Sequence, residues 1–220
     1  MNWLLNNLDG LGPIILTHLW LALVPVVVGT LVSMPLGWAS SRWPVARAIL
    51  VPLSSLLYTI PSLALFVIMP LVLGTQSLEP INVQVALTLY TVALLVRSIT
   101  DALSAVPESV TTAATAMGYR PIGRFFAVEL PLAVPVLIAG IRVAAVSNMG
   151  LVAIGQLIGV TSLGLLLLQG SQTSPPNFDQ IIVGIVIIVL LALVVDGLLA
   201  LLGRRLTPWA RVGPKAGAAT

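Results

Sequence analysis

Apolar residues in this chain run in five long blocks with only brief polar interruptions, and this pattern predicts membrane-spanning helices. A helix needs roughly 20 apolar residues to cross the hydrocarbon core. Blocks of that length lie at 13–39, 48–73, 83–102, 132–158 and 181–202. The longer ones must tilt, kink or protrude. Pro25, Pro35, Pro52, Pro61 and Pro135 fall inside them. Membrane helices tolerate proline where neighbours, hydroxyls or water satisfy the freed carbonyls.

The polar interval 103–131 is the longest between blocks and has its own periodicity. Pro107-Glu108-Ser109 reads as a helix start, with proline and an acid at the N-terminal end. A short helix rich in small residues follows over 110–117, and Gly118 is placed to end it. Pro121 opens a second helix at its first position. In that helix Ile122, Phe125, Phe126 and Glu129 recur at helical spacing, with Arg124 facing lipid headgroups. Leu130-Pro131 then turns the chain into the fourth span. There is no internal repeat and no soluble domain.

Charge fixes an orientation. Arg42 and Arg47 lie between the first two spans. Arg97, Arg120 and Arg124 lie at the end of the third span and beyond it, and Arg204, Arg205, Arg211 and Lys215 follow the fifth. The opposite segments, 1–12, 74–82 and 159–180, hold no Lys or Arg, only Asp9, Glu79 and Asp179. Nine of the ten basic residues therefore share one side, which the positive-inside rule makes cytoplasmic. The organisation expected is an extracytoplasmic N-terminus at 1–12, a five-helix domain at 13–202 and a cytoplasmic tail at 203–220, disordered over 212–220. The N-terminus lacks the basic n-region of a signal peptide, so the first helix is expected to be retained.

Composition agrees. The 220 residues are 58% hydrophobic and 8% charged, whereas about a quarter of a typical soluble sequence is charged. No cysteine is present, which excludes disulfides and thiolate metal sites, and His18 alone cannot build a metal cluster. The net charge of +3 is spread beside apolar segments, not gathered into a nucleic-acid-binding face.

One motif is specific. Thr112-Ala113-Ala114, three residues, Gly118, nine residues, then Val128-Glu129-Leu130-Pro131 resembles the EAA loop of the permeases of ATP-binding-cassette (ABC) importers. That pattern is Glu-Ala-Ala, three residues, Gly, nine residues, Ile, any residue, Leu-Pro. Both alanines, the glycine and Leu-Pro match at the family spacing; Val128 replaces Ile and Thr112 replaces Glu. In span two, Tyr58-Thr59-Ile60-Pro61-Ser62-Leu63-Ala64 looks like the Thr-Ile-Pro-Ser-Leu-Ala segment of permeases for glycine betaine, carnitine and choline. The stretch from Glu129 to Pro135, Ala139-Gly140-Ile141-Arg142, and Ile154-Gly155-Gln156-Leu157-Ile158-Gly159 resemble the same subgroup. Where that subgroup commonly continues Ala-Gly-Gly-Leu-Gly, this chain reads Val160-Thr161-Ser162-Leu163-Gly164.

The resemblance covers about residues 15–200. It implies an all-α integral membrane fold with five transmembrane helices in the MetI-like arrangement of type I ABC importers, carrying a cytoplasmic coupling-helix loop. Glu108, Thr112, Ala113, Ala114, Gly118, Val128, Leu130 and Pro131 would form that loop. Small side chains at 113 and 114 would let another protein approach closely, and Pro131 would set the angle of span four. The function implied is the membrane-spanning permease of an importer for compatible solutes in osmoregulation, in the plasma membrane of a bacterium or archaeon. Its partners would be cytoplasmic ABC ATPases, a second permease chain and an extracytoplasmic binding protein. A P-loop needs Gly-Lys-Ser/Thr, and the one lysine, Lys215, lies in Pro214-Lys215-Ala216. The chain is therefore not expected to be an enzyme: ATP and Mg²⁺ would sit on the partner ATPase. Permeases for methionine or another small nutrient share the fold and loop. An ion-coupled secondary transporter is disfavoured, since five spans without inverted repeats or paired acids offer no coupling-ion site.

Polar groups inside spans are candidate pathway residues: Tyr58, Pro61, Ser62, Arg142, Asn148 and Gln156. Arg142 reads either as a pathway or anchoring residue or as a side chain snorkelling to the inner interface. Asp196 is expected to pair with Arg204 or Arg205, and Arg97 with Asp101 four residues on. His18 is expected at the outer interface. Tyr58, Tyr90 and Trp38 are the aromatics available to a cation, though a complete aromatic cage is not expected.

Overall fold

The structure, a computed structural model, describes residues 8–211, so the first seven residues and the expected disordered tail lie outside it. Helix α1 (Leu8–Arg42) continues through Pro13, Pro25 and Pro35. At 1.5 Å per residue it is about 52 Å long, more than the roughly 30 Å of hydrocarbon it must cross. It packs closely along α4 (Pro80–Ser104). Gly29 and Gly37 make that seam possible, because a Cβ on either would lie 2.5 Å from a methyl of Thr91 or Ile99. Small residues at such seams replace the hydrophobic drive that lipid removes.

The second apolar block is broken. It folds as α2 (Pro44–Thr59) and α3 (Ser62–Leu73), bent by 106°. Pro61 causes this: it has no N–H to continue the ladder, and its ring biases Ile60 to extended backbone, observed at φ −66°, ψ 129°. Four continuous long apolar helices and this bent pair, taken as one crossing, make up the five expected spans.

The interval 103–131 is more helical than its sequence suggests. After α5 (Glu108–Ala116), α6 (Pro121–Arg124) runs through a π-helical turn (Phe125–Glu129) directly into α7 (Leu130–Gly155). The turn expected at Leu130-Pro131 is absent. The widened π turn, closed by Leu130 N–H to the Phe125 carbonyl, admits the proline ring that a regular helix would exclude. On the other side, the segment expected as a plain outer loop holds α8 (Gly164–Gln172) before α9 (Phe178–Leu206).

Helix α4 is central, with Val83, Leu87, Leu95 and Ile99 buried against α1, α7 and the α2–α3 pair. The main core joins Leu21, Phe66, Leu87 and Met149. Helix α9 packs on α7 and α8 and turns Leu190, Leu193, Val194 and Leu198 outward, as a lipid-facing helix would.

Candidate functional site: a braced loop and a broken helix

The loop is built around one glycine. Gly118 has φ +87°, its N–H donates to the Thr115 carbonyl at 3.0 Å, and Tyr119 N–H donates to the Ala114 carbonyl at 3.2 Å. This is the Schellman closure of a helix, whose left-handed position favours glycine. Glu108 occupies the first turn of α5, where a carboxylate suits the helix dipole. Thr112 and Ala113 are exposed, but Ala114 is 1% exposed and packs into its own chain. Of the two alanines only Ala113 offers a surface to another protein. Val128, Leu130 and Pro131 are half-buried.

Behind the loop lies a charge cluster that sequence reading missed. Arg42, at the end of α1, donates to both oxygens of Glu129. Arg124 donates to Glu129 Oε1 through Nε at 2.8 Å, and to Thr115 Oγ1 through Nη1 at 2.7 Å. Glu129 is 3% exposed. A continuous polar path therefore joins α5, the π turn and the first spanning helix. The expected Arg97–Asp101 pair is present at 3.9 Å, and Arg47 also approaches Asp101 at 3.7 Å. Trp38 lies at this same end, edge-on to Trp43 and Phe125.

The α2–α3 break lies at another level. Tyr90 donates its hydroxyl to the Ile60 carbonyl, and its ring stands edge-on to Tyr58, with centroids 5.9 Å apart. Tyr90 is ten residues into α4, so the break lies about 15 Å along that helix, near its middle. Tyr58, Thr59, Ile60 and Pro61 are all exposed on the single chain, and Ser62 is half-buried. Behind Tyr90, Asn148 is fully buried and donates to Thr91 Oγ1 at 3.1 Å and to the Ala22 carbonyl at 3.4 Å, bracing α7 against α4 and α1.

Other polar groups tie helices together. Arg142 forms a two-pronged pair with Asp196 of α9, at 2.7 and 2.6 Å, which is the anchoring arrangement of the alternatives. Asp196 thus pairs with Arg142 instead of the expected arginines at 204 and 205, since α7 and α9 pack side by side at that level. Gln156 accepts from the Ser162 N–H at 3.3 Å and shapes the outer turn. His18, expected at the outer interface, is fully buried in protein. Leu163 N–H donates to its Nδ1 at 3.3 Å, so Nε2 carries the proton and donates to the Met149 carbonyl at 3.1 Å. Among the described residues, no group of three or more His, Cys, Asp or Glu side chains is placed to hold a metal.

A set of spanning helices with a braced loop at its basic end defines a membrane transport subunit that borrows its energy from elsewhere. The chain belongs to the family of binding-protein-dependent transport system inner membrane components, which matches residues 26–208. It is the permease subunit of an ABC importer, and ATP hydrolysis belongs to a separate ATPase. It is 36% identical to the osmoprotectant import permease protein OsmW of Salmonella typhimurium over 94% of this chain and 97% of that one. It is 30% identical to the glycine betaine/carnitine/choline transport system permease protein OpuCB of Bacillus subtilis, covering 90% and 89%. The fold matches that of the inward-facing MetNI methionine ABC transporter with a TM-score of 0.77, at 23% identity over 87% of this chain and 93% of that one.

Proposed function

We propose that this permease imports small solutes carrying a quaternary ammonium group, of the glycine betaine, carnitine and choline type, at the expense of ATP hydrolysed by its partners. The observation that carries the substrate class is the likeness, over about nine-tenths of the chain, to a relative named for those solutes, beside one named for osmoprotectant import. The fold likeness to a methionine transporter, at 23% identity, speaks to architecture alone.

In this reading two permease chains, identical or sister, enclose one pathway, and each docks an ATPase through the loop 108–131. ATP and Mg²⁺ stay on that ATPase. The exposed Thr112 and Ala113, with Met117 and Tyr119 beside them, form the docking surface. Movement of α5 on ATPase closure passes through Thr115, Arg124 and Glu129 to Arg42, and so to α1. The basic end is cytoplasmic, since Arg42, Arg47, Arg97 and Arg124 gather on Glu129 and Asp101 there. A binding protein delivers solute from the other side.

The pathway passes Tyr58, Pro61 and Ser62. Non-helical backbone at membrane depth survives only where it is buried in protein or lines water, and this break is open on the single chain. Asn148 supports that wall from behind, Gln156 shapes its outer end, and Arg142 anchors α7 to α9. The test is solute uptake at high osmolarity by cells with and without this chain, in a strain lacking other uptake systems for these solutes. Loss of betaine, carnitine or choline uptake on deletion is the result expected. Unchanged uptake of all three would remove the substrate assignment.

A further inference from the structure

Where span two breaks, the chain presents three features together that a trimethylammonium group needs. The first is an open aromatic ring: Tyr58 is 48% exposed, while its neighbour Tyr90 is 6% exposed and held by its hydroxyl bond to Ile60. The second is negative potential without a formal charge. Helix α2 ends at Thr59 and Pro61 supplies no N–H; the Leu56, Leu57 and Ile60 carbonyls accept from Thr59 Oγ1, the Ile60 N–H and the Tyr90 hydroxyl, so the Tyr58 and Thr59 carbonyls are the acceptors left at the break. The third is distance from a competing cation: the nearest arginine in sequence, Arg47, lies eleven residues before Tyr58, about 16 Å along α2, and approaches Asp101 at 3.7 Å.

A quaternary ammonium has no N–H to donate and spreads its charge over methyl groups. It is therefore bound through aromatic faces and carbonyl dipoles, whereas a metal ion or a primary amine would demand stronger acceptors. We propose that the α2–α3 break is a transient site for the trimethylammonium head of the transported solute, held on the ring of Tyr58 and the carbonyl end of α2. This inference rests on the substrate class proposed above. Tyr90 is a positioning residue: its bond to the Ile60 carbonyl fixes the break, and its ring sets the attitude of Tyr58. One ring and a helix end make a weaker site than a full cage, which fits a stage that must release its cargo.

The experiment uses the whole importer, with its ATPases, permeases and binding protein, reconstituted in liposomes. Uptake of radiolabelled choline at subsaturating concentration is compared for wild type, Tyr58→Phe, Tyr58→Leu, and Tyr58→Phe with the ring progressively fluorinated at constant shape. Phenylalanine is expected to keep most of the uptake and leucine to lose about tenfold, in the range of a desolvated cation–π contact. Uptake is expected to fall with each fluorine added, while the amount of assembled importer stays constant. Wild-type uptake with no dependence on fluorination overturns the site and leaves the substrate class standing. A wild-type importer that moves none of choline, glycine betaine and carnitine overturns both.

Discussion

Asp196→Asn leaves the Arg142 guanidinium without its counter-charge inside an apolar slab. Breaking such a pair costs far more than replacing it whole. The single variant is expected to melt several degrees lower in detergent than wild type, while Arg142→Met with Asp196→Leu recovers most of the loss. Equal melting of all three would remove the anchoring role. At Gly118 the cost is conformational. No atom crowds a Cβ there, but φ is +87°, so Gly118→Ala should cost about 1 kcal/mol at the helix end. Lowered coupling of ATP hydrolysis to uptake at unchanged membrane abundance would register it. Gly118 was legible as the end of its helix, whereas Leu130-Pro131 was misread as a turn because the helix runs on through it. Single residues were not legible where a role depends on a partner far along the chain. Nothing near Asp196 announces Arg142, 54 residues away, and nothing near His18 announces Met149 or Leu163.

Glu129→Gln separates two roles that a loop can have. The carboxylate holds Arg42 and Arg124 together, and the amide would release one or both. The permease should still reach the membrane and bind its ATPase, but ATP hydrolysis should continue with uptake reduced at least several-fold. Charge exchange, Arg42→Glu with Glu129→Arg, is expected to restore part of the ratio. Hydrolysis and uptake falling together would instead indicate failed docking. Among the elements, span positions followed directly from apolar blocks, because length against bilayer thickness is a strong constraint. The break in span two was less visible. Seven prolines lie in the blocks, and only Pro61 divides a helix, while α1 absorbs three. The difference lies in tertiary support, here the Tyr90 bond to Ile60, which local sequence does not encode. The π turn escaped for a related reason, since it arises where Pro131 meets a helix that packing requires to continue.

At the scale of the whole molecule, charge asymmetry gave an expected orientation, while the resemblance of 112–131 to the EAA loop, in a sequence with no P-loop, implied a subunit that needs an outside ATPase. The gathering of four spanning-helix arginines on Glu129 and Asp101 gives that asymmetry a structural form. A fluorescent protein fused after residue 220 is expected to fluoresce in the cytoplasm, and alkaline phosphatase fused there to stay inactive; the opposite pattern would invert the topology. The most direct test of the account is uptake by the complete importer in sealed liposomes, with ATP enclosed and the binding protein and labelled glycine betaine outside. Accumulation is predicted to require ATP, the binding protein and this chain together, and to be indifferent to an imposed sodium or proton gradient. Accumulation driven by such a gradient without ATP would contradict the account.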